Sequence, residues 1–288
     1  MKKILVLTDL SENVTNLTQT AVLLAEKLHA DILLFNSYQT IPVTPFYGAG
    51  PWIGEDESWW EKESVTQLNK IAMELSESIH SLLPGEIWRP DVTVKSVQGG
   101  LAENVKDIIT HQDIELVIMG SSNDTGFDHI LFGSATKSVM AHATRPVIII
   151  PPGAQLTKIS KVFFATDFNV SDIKAVSYLA RLARLLYFEL EIIHVEPFGE
   201  SESSEMKDRK IFMNMLEDLR YPELQHTEVH GKEVVSRIIK LCTEKKADLL
   251  GLLHQQDSLL IRMLRQSTAN DLVETQKLPL IIFPSNMR

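Results

Sequence analysis

Two hydrophobic periods take turns along this chain. Short apolar runs such as KILVLT (3–8), DILLFNS (31–37), ELVIMG (115–120) and PVIIIP (146–151) stand between stretches whose apolar residues recur every three or four positions, as in NVTNLTQTAVLLAEKLHA (13–30). Runs of this kind, unbroken by polar alternation, predict strands buried on both faces. The intervening stretches predict amphipathic helices. In the first half the order is strand, helix, strand, helix over 63–83, strand over 91–97, helix over 101–112, strand, helix over 133–144, strand. The second half follows the same order: strand 161–166, helix 171–187, strand 190–195, helix near 205–219, strand 224–230, helix 232–245, strand 247–253, helix near 262–276, strand 279–283.

Strict strand–helix alternation with right-handed crossovers predicts an α/β fold built on parallel sheets. The chain is written twice. KILVLTDL (3–10) reappears as KVFFATDF (161–168), and AEKLHADILLFNS (25–37) as ARLLYFELEIIHV (183–195), both displaced by 158 positions. RPVIIIPP (145–152) matches LPLIIFPS (278–285) at a displacement of 133, so the second half is 25 residues shorter. Two tandem doubly wound, five-stranded, Rossmann-like domains are expected, over 1–152 and 159–288. PPGAQLTKIS (151–160) reads as a linker between two cores. PVIIIP and PLIIF are apolar edge strands that need covering.

Composition narrows the class. Hydrophobic residues make up 44% and charged residues 23% of 288 positions, as in a soluble globular protein. A net charge of -10 argues against a nucleic-acid or membrane-surface partner, and no apolar run approaches a membrane span. Cys242, the single cysteine, excludes an intramolecular disulfide and fits a reducing, cytoplasmic setting. Its place in VVSRIIKLCTEKK makes it a core residue.

Candidate chemistry gathers where strands end. Thr8 and Asp9 close the first strand, Asn36 and Ser37 the second, and Met119 and Gly120 the fourth. In open parallel sheets ligands bind at these carboxyl ends. GSSNDTGFDHILFGSAT (120–136) then runs into a helix. Gly120 would permit a sharp turn and a close ligand approach. Asn123 tolerates the left-handed conformation of an anion-binding nest. Gly133, Ser134, Ala135 and Thr136 open a helix, whose free N–H groups suit phosphate. Neither a GK[ST] loop nor GxGxxG is present.

The ILVLTDLS opening, the glycine-spaced loop after the fourth strand and the closing RPVIIIP strand together resemble the universal stress protein family, over nearly the whole chain. The resemblance implies ATP in the N-terminal domain: Asp9 at the adenosine, the Ser37 backbone beside the adenine, Met119 and Gly120 flanking the nucleoside. Ser122, Asn123, Gly133, Ser134, Ala135 and Thr136 would surround the phosphates. Asn123 stands where the family has its second glycine. The resemblance also implies antiparallel pairing of Val147–Ile150 with Leu280–Phe283, making the chain an internal pseudo-dimer.

In the second half the matching stretch is taken as GLLHQQDSLLIRMLRQSTA (251–269). Gly251 is then set against Gly120, with Gln266 at Gly133 and Ser267 at Ser134. The loop comes out two residues longer, and no nucleotide is expected in that domain.

The implied function is a cytoplasmic stress-response protein in which bound ATP regulates contact with a protein partner. Whether two chains form a homodimer is left open. Two alternatives remain. One is a nucleotide-free adaptor or scaffold acting through the aromatic segment 38–62, with Tyr47, Trp52, Trp59 and Trp60. The other is a weak ATPase, although no nucleophile–base pair is legible. His226 and His230 sit i,i+4 on a strand, about 13 Å apart and too far to share an ion. No metal site is expected.

Overall fold

The structure, a computed structural model, describes residues 1–11, 13–39, 57–82, 88–121, 133–198, 206–254 and 278–287. The first repeat runs β1 (Lys3–Leu7), α1 (Val14–Leu28), β2 (Asp31–Tyr38), α2 (Glu57–Leu82), β3 (Val92–Gln98), α3 (Leu101–His111), β4 (Ile114–Gly120), α4 (Ser134–His142), β5 (Val147–Ile150). The second runs β6 (Lys161–Ala165), α5 (Asp172–Leu186), β7 (Glu189–Pro197), α6 (Met206–Asp218), β8 (Leu224–Gly231), α7 (Val234–Glu244), β9 (Leu249–His254), β10 (Leu280–Pro284). The helix expected near 262–276 lies outside the described residues.

Equivalent elements end in equivalent ways. α1 stops on His29 and α5 on Tyr187, both in the left-handed conformation at φ 48° and 59°. Each cap N–H bonds back into the last helical turn, to Ala25 and Glu26 or to Ala183. This closes the helix without glycine, at the modest strain of a positive φ.

All ten strands form one sheet, in the order β3-β2-β1-β4-β5-β10-β9-β6-β7-β8. Every pairing is parallel except the central one: β5 meets β10 antiparallel, with Ile149 opposite Leu280 and Val147 opposite Ile282. The two apolar edges cover each other, as the resemblance implied. Because the sheet is continuous, its core is too. On one face Leu17, Leu24 and Ile148 pack in the same layer as Phe164, Leu179 and Phe283. On the other, Val105 and Met140 share a layer with Phe163 and Ile239.

This continuity corrects the reading of 151–160 as a linker between two cores. Ala154, Leu156 and Ile159 are buried, and the Leu156 carbonyl accepts the Thr20 hydroxyl at 3.3 Å. Pro and Gly mark a real turn there, at Gly153 (φ 74°). The connection nevertheless runs against a core that spans both repeats, and its apolar residues fill that core. An ion cluster also joins the halves. Glu115 of β4, 5% exposed, accepts hydrogen bonds from Lys2 (2.8 Å) and from Arg181 of α5. Burial raises the carboxyl's pKa, but the two cations outweigh it and hold the group below its ordinary value. The Arg181 guanidinium lies 4.8 Å from the Tyr178 ring centroid.

Cys242 is buried in α7, and burial pushes its thiol up to about 12, which removes it from nucleophilic chemistry. Among the described residues no helix is long and apolar enough to cross a membrane.

Candidate functional site

The carboxyl ends of β1, β2 and β4 open into a cavity of about 420 Å³. That size suits a small-molecule ligand. Its walls come from segments far apart in sequence: Asp9 and Ser11 after β1, Asn36 and Ser37 of β2, Met119 and Gly120 of β4, Ala135 and Thr136 of α4. Asn13, Leu17, Leu101, Ser121 and Pro152 complete much of the rest.

The β2 side is held by a chain of hydrogen bonds. The Asn36 amide donates to the Thr8 carbonyl (2.8 Å), and its oxygen accepts from Ser64 of α2 (2.9 Å). Ser64 and Ser96 of β3 are 2.7 Å apart. The Ser37 hydroxyl donates to the Gly99 carbonyl and accepts from Asn104. Both side chains are therefore committed to the scaffold, and each buried polar group has a partner. Asp9 is exposed, and its carboxylate accepts the Ser11 N–H at 3.0 Å. The Thr8 hydroxyl accepts the N–H of Leu10, whose φ of 65° turns the chain from strand to helix.

On the opposite side stands the first turn of α4. Gly133 is its N-cap, with no side-chain cap and no acidic residue in the first turn. The first intrahelical bond closes from the Lys137 N–H to the Gly133 carbonyl. The N–H groups of Ser134, Ala135 and Thr136 precede it and have no partner within the helix. Ser134 and Ala135 are exposed, whereas Thr136 is 1% exposed. α1, which also faces the cavity through Asn13 and Leu17, likewise lacks a side-chain cap and a first-turn acid.

Of the sequence-derived site residues, Asp9, Ser37, Met119, Gly120, Ala135 and Thr136 line one cavity. Gly133 and Ser134 begin the helix beside it. Ser122 and Asn123 lie outside the described residues. The conformational argument for Gly120 does not hold. It closes a regular strand, the positive-φ glycines described are Gly99 and Gly153, and an added Cβ would have its nearest neighbour 3.9 Å away. What a side chain at 120 would take up is cavity space.

Strand register also corrects the alignment of the second repeat. Val6 pairs with Ile118, and Phe164, which occupies the place of Val6, pairs with Gly251. The outer partners agree: Ile118 faces Ile148, and Gly251 faces Ile281. Gly251 is thus the counterpart of Ile118, not of Gly120. Leu253 takes the place of Gly120, and His254 that of Ser121. The span from 253 to 266 equals that from 120 to 133, so the loop is not two residues longer. Matching glycine to glycine misled because Gly251 has a packing role. A Cβ there would sit 2.8 Å from the Phe164 ring, so a large–small pair replaces Val6 and Ile118.

Other positions at the strand ends of the second repeat also differ from their counterparts. Phe168 replaces Leu10, again at positive φ (57°), and is 2% exposed. Its ring stacks 4.2 Å from that of His194, the residue equivalent to Asn36, and meets Phe212 edge-on. Asp172 replaces Val14 at the start of α5. It is 4% exposed and accepts the Thr166 hydroxyl at 2.6 Å. Burial, with the nearby Asp167 carboxylate, raises its pKa to about 7 against that hydrogen bond. Among the described residues no cluster of His, Cys, Asp and Glu is arranged to hold a metal ion.

A tandem α/β protein, with two Rossmann-like repeats fused through their last strands, is the class these features define. The chain belongs to the universal stress protein family, whose model matches residues 1–151 and again 158–284. It is 25% identical over 150 residues to universal stress protein MJ0531 of Methanocaldococcus jannaschii, an alignment covering 52% of this chain and 81% of that protein. With universal stress protein MJ0577 of the same organism it is 28% identical over 99 residues, 30% of this chain and 61% of the relative. A universal stress protein structure from Archaeoglobus fulgidus DSM 4304 shares the fold at a TM-score of 0.69 and 18% identity, covering 98% of this chain and 96% of that one.

Proposed function

We propose that the first repeat of this cytoplasmic stress-response protein binds an adenine nucleotide, ATP, and that occupancy regulates contact with a protein partner. The observation that carries the reading is the joining of the β1, β2 and β4 ends and the uncapped start of α4 around one cavity. Asp9 and the Ser37 backbone would hold the adenosine, with Met119 and Gly120 along the nucleoside. Gly133, Ser134, Ala135 and Thr136, with Ser122 and Asn123 of the preceding loop, would take the phosphates.

Physical chemistry favours an anion there. Free N–H groups at a helix start meet the positive end of the dipole, and each hydrogen bond to a charged acceptor contributes roughly 1.5–3 kcal/mol. The second repeat differs at the corresponding positions: Leu253 stands for Gly120, Gln266 for Gly133 in sequence, and Asp172 puts a carboxyl at the start of α5. Nucleotide binding is therefore assigned to the first repeat alone.

Gly133→Asp separates binding from folding. Gly133 has the extended backbone of an N-cap (φ −59°, ψ 167°), so aspartate should cap α4 and hold or raise stability. The same carboxylate would stand where phosphate is held. Equilibrium dialysis should show ATP bound by the unmodified chain and not by Gly133→Asp, whose melting temperature should be equal or higher. Equal binding by both would overturn the assignment.

A docking role for the 38–62 segment is the second reading. Trp59 and Trp60 favour it: they are 50% and 41% exposed on α2 and in edge-to-face contact. Tyr47 and Trp52 lie outside the described residues.

A further inference from the structure

α2 packs on β2 and β3, burying Ser64, Leu68, Leu75 and Ile79. Trp59 stands nine residues before Leu68. That is about two and a half turns of helix, so its side chain leaves from the side opposite the core. Trp60 meets it edge-on, with ring centroids 4.9 Å apart, and both rings are exposed. Tryptophan stabilises a fold only where its large apolar surface leaves water. Two of them held in solvent at one helix start mark a surface that another molecule covers.

The second repeat shows that the fold does not require them. α6, the equivalent helix, has no tryptophan and balances three acidic residues with three basic ones. α2 has five glutamates against two lysines. One of those glutamates, Glu63, is exposed and follows Trp59 by four residues and Trp60 by three. These are the spacings at which side chains on a helix surface meet. The aromatic pair therefore stands beside a carboxylate, on a helix with excess negative charge.

We propose that this outer face of α2 docks an arginine-bearing segment of a partner protein, with a guanidinium lying on the Trp59 and Trp60 rings and pairing with Glu63. The inference rests on the docking reading of the 38–62 segment and supplies the chemistry of the partner. Arginine suits the face better than lysine. Its planar, weakly hydrated cation stacks on an aromatic ring while its N–H fork binds a carboxylate. An acidic partner would meet like charge here, and a purely apolar one would cover Glu63 without a counter-ion.

Titration calorimetry of the intact chain with a peptide of alternating arginine and serine tests it, beside lysine–serine and glutamate–serine peptides of equal length. The arginine peptide should bind more tightly than the lysine peptide, and the glutamate peptide should not bind. The double variant Trp59→Ala/Trp60→Ala keeps every charge. It should weaken the arginine peptide by about fivefold to thirtyfold, as the loss of two exposed cation–π contacts requires. Glu63→Gln should weaken it by about twofold to fivefold. Both variants should melt like the unmodified chain, because these side chains face solvent; if the double variant melts lower, Glu63→Gln carries the test. An arginine peptide bound as tightly by the variants as by the unmodified chain is held by net charge alone. That result, or no binding of any peptide, overturns the partner and the docking reading together. A lysine peptide bound as tightly as the arginine peptide would overturn the arginine partner and leave the docking face standing. So would glutamate-peptide binding, or self-association in analytical ultracentrifugation, that the tryptophan variant loses.

Discussion

Replacing Asp172 by asparagine isolates the cost of burying a carboxyl at the start of α5. The carboxyl is 4% exposed at the first residue of α5, where it accepts the Thr166 hydroxyl. Its pKa is raised from 3.8 to about 7, first by burial and then by the neighbouring Asp167 carboxylate. A folded-state pKa above the unfolded one means the native protein binds the extra proton. Stability is then highest below about pH 4 and falls as pH rises toward 7. The full difference corresponds to roughly 4 kcal/mol. Asparagine keeps an oxygen for Thr166 and carries no charge. The variant should match the unmodified chain at pH 4 and exceed it at pH 8 by up to that amount. In urea unfolding monitored by circular dichroism, this is a midpoint shift of about 1 M or more at pH 8. Titrations common to both chains cancel in the difference. Superimposable curves at pH 8, or a variant weaker at both pH values, would show that the carboxyl is not held at such a cost.

Two further outcomes follow from the same geometry. Gly120→Leu places in the first repeat the residue the second has at 253. It should abolish ATP binding in dialysis while melting stays within about 1 kcal/mol of stability, because the added Cβ has no neighbour closer than 3.9 Å. Glu115→Gln weakens the Lys2–Glu115–Arg181 cluster that ties the repeats. Both cations are near half exposed, so the loss at pH 7 should be only about 1–2 kcal/mol. The Glu115 carboxyl is held low, so this contribution is full above its unfolded value of 4.5. It disappears as pH falls through the lower folded value, where melting curves of variant and unmodified chain should converge.

Most of the architecture was legible because strand burial writes itself into unbroken apolar runs and the repeat displays each run twice. That the β5 and β10 edges need covering was readable for the same reason; that they cover each other antiparallel was implied by the family resemblance, and the register agrees. The register of β9 was not. Gly251 drew the alignment toward Gly120, while its real cause, the Phe164 ring on the adjacent strand, is a contact that sequence spacing does not encode. The packing of Leu156 and Ile159 was hidden by the prolines and glycine around them, which signal a turn but not what lies beneath it. At the site, the strand ends and the α4 start were visible as motif positions. Ser11 was not singled out, because a serine before a helix reads as a cap. Only three-dimensional placement brings it into the cavity lining. The Asn36–Ser64–Ser96 chain joins residues from three elements and leaves no local pattern.

The central claim is the proposal that the first repeat binds a nucleotide and the second does not. Titration calorimetry of the whole chain with ATP tests it most directly. The account predicts one ATP per chain, eliminated by Gly133→Asp. Two bound nucleotides per chain, none, or one that survives Gly133→Asp would contradict it.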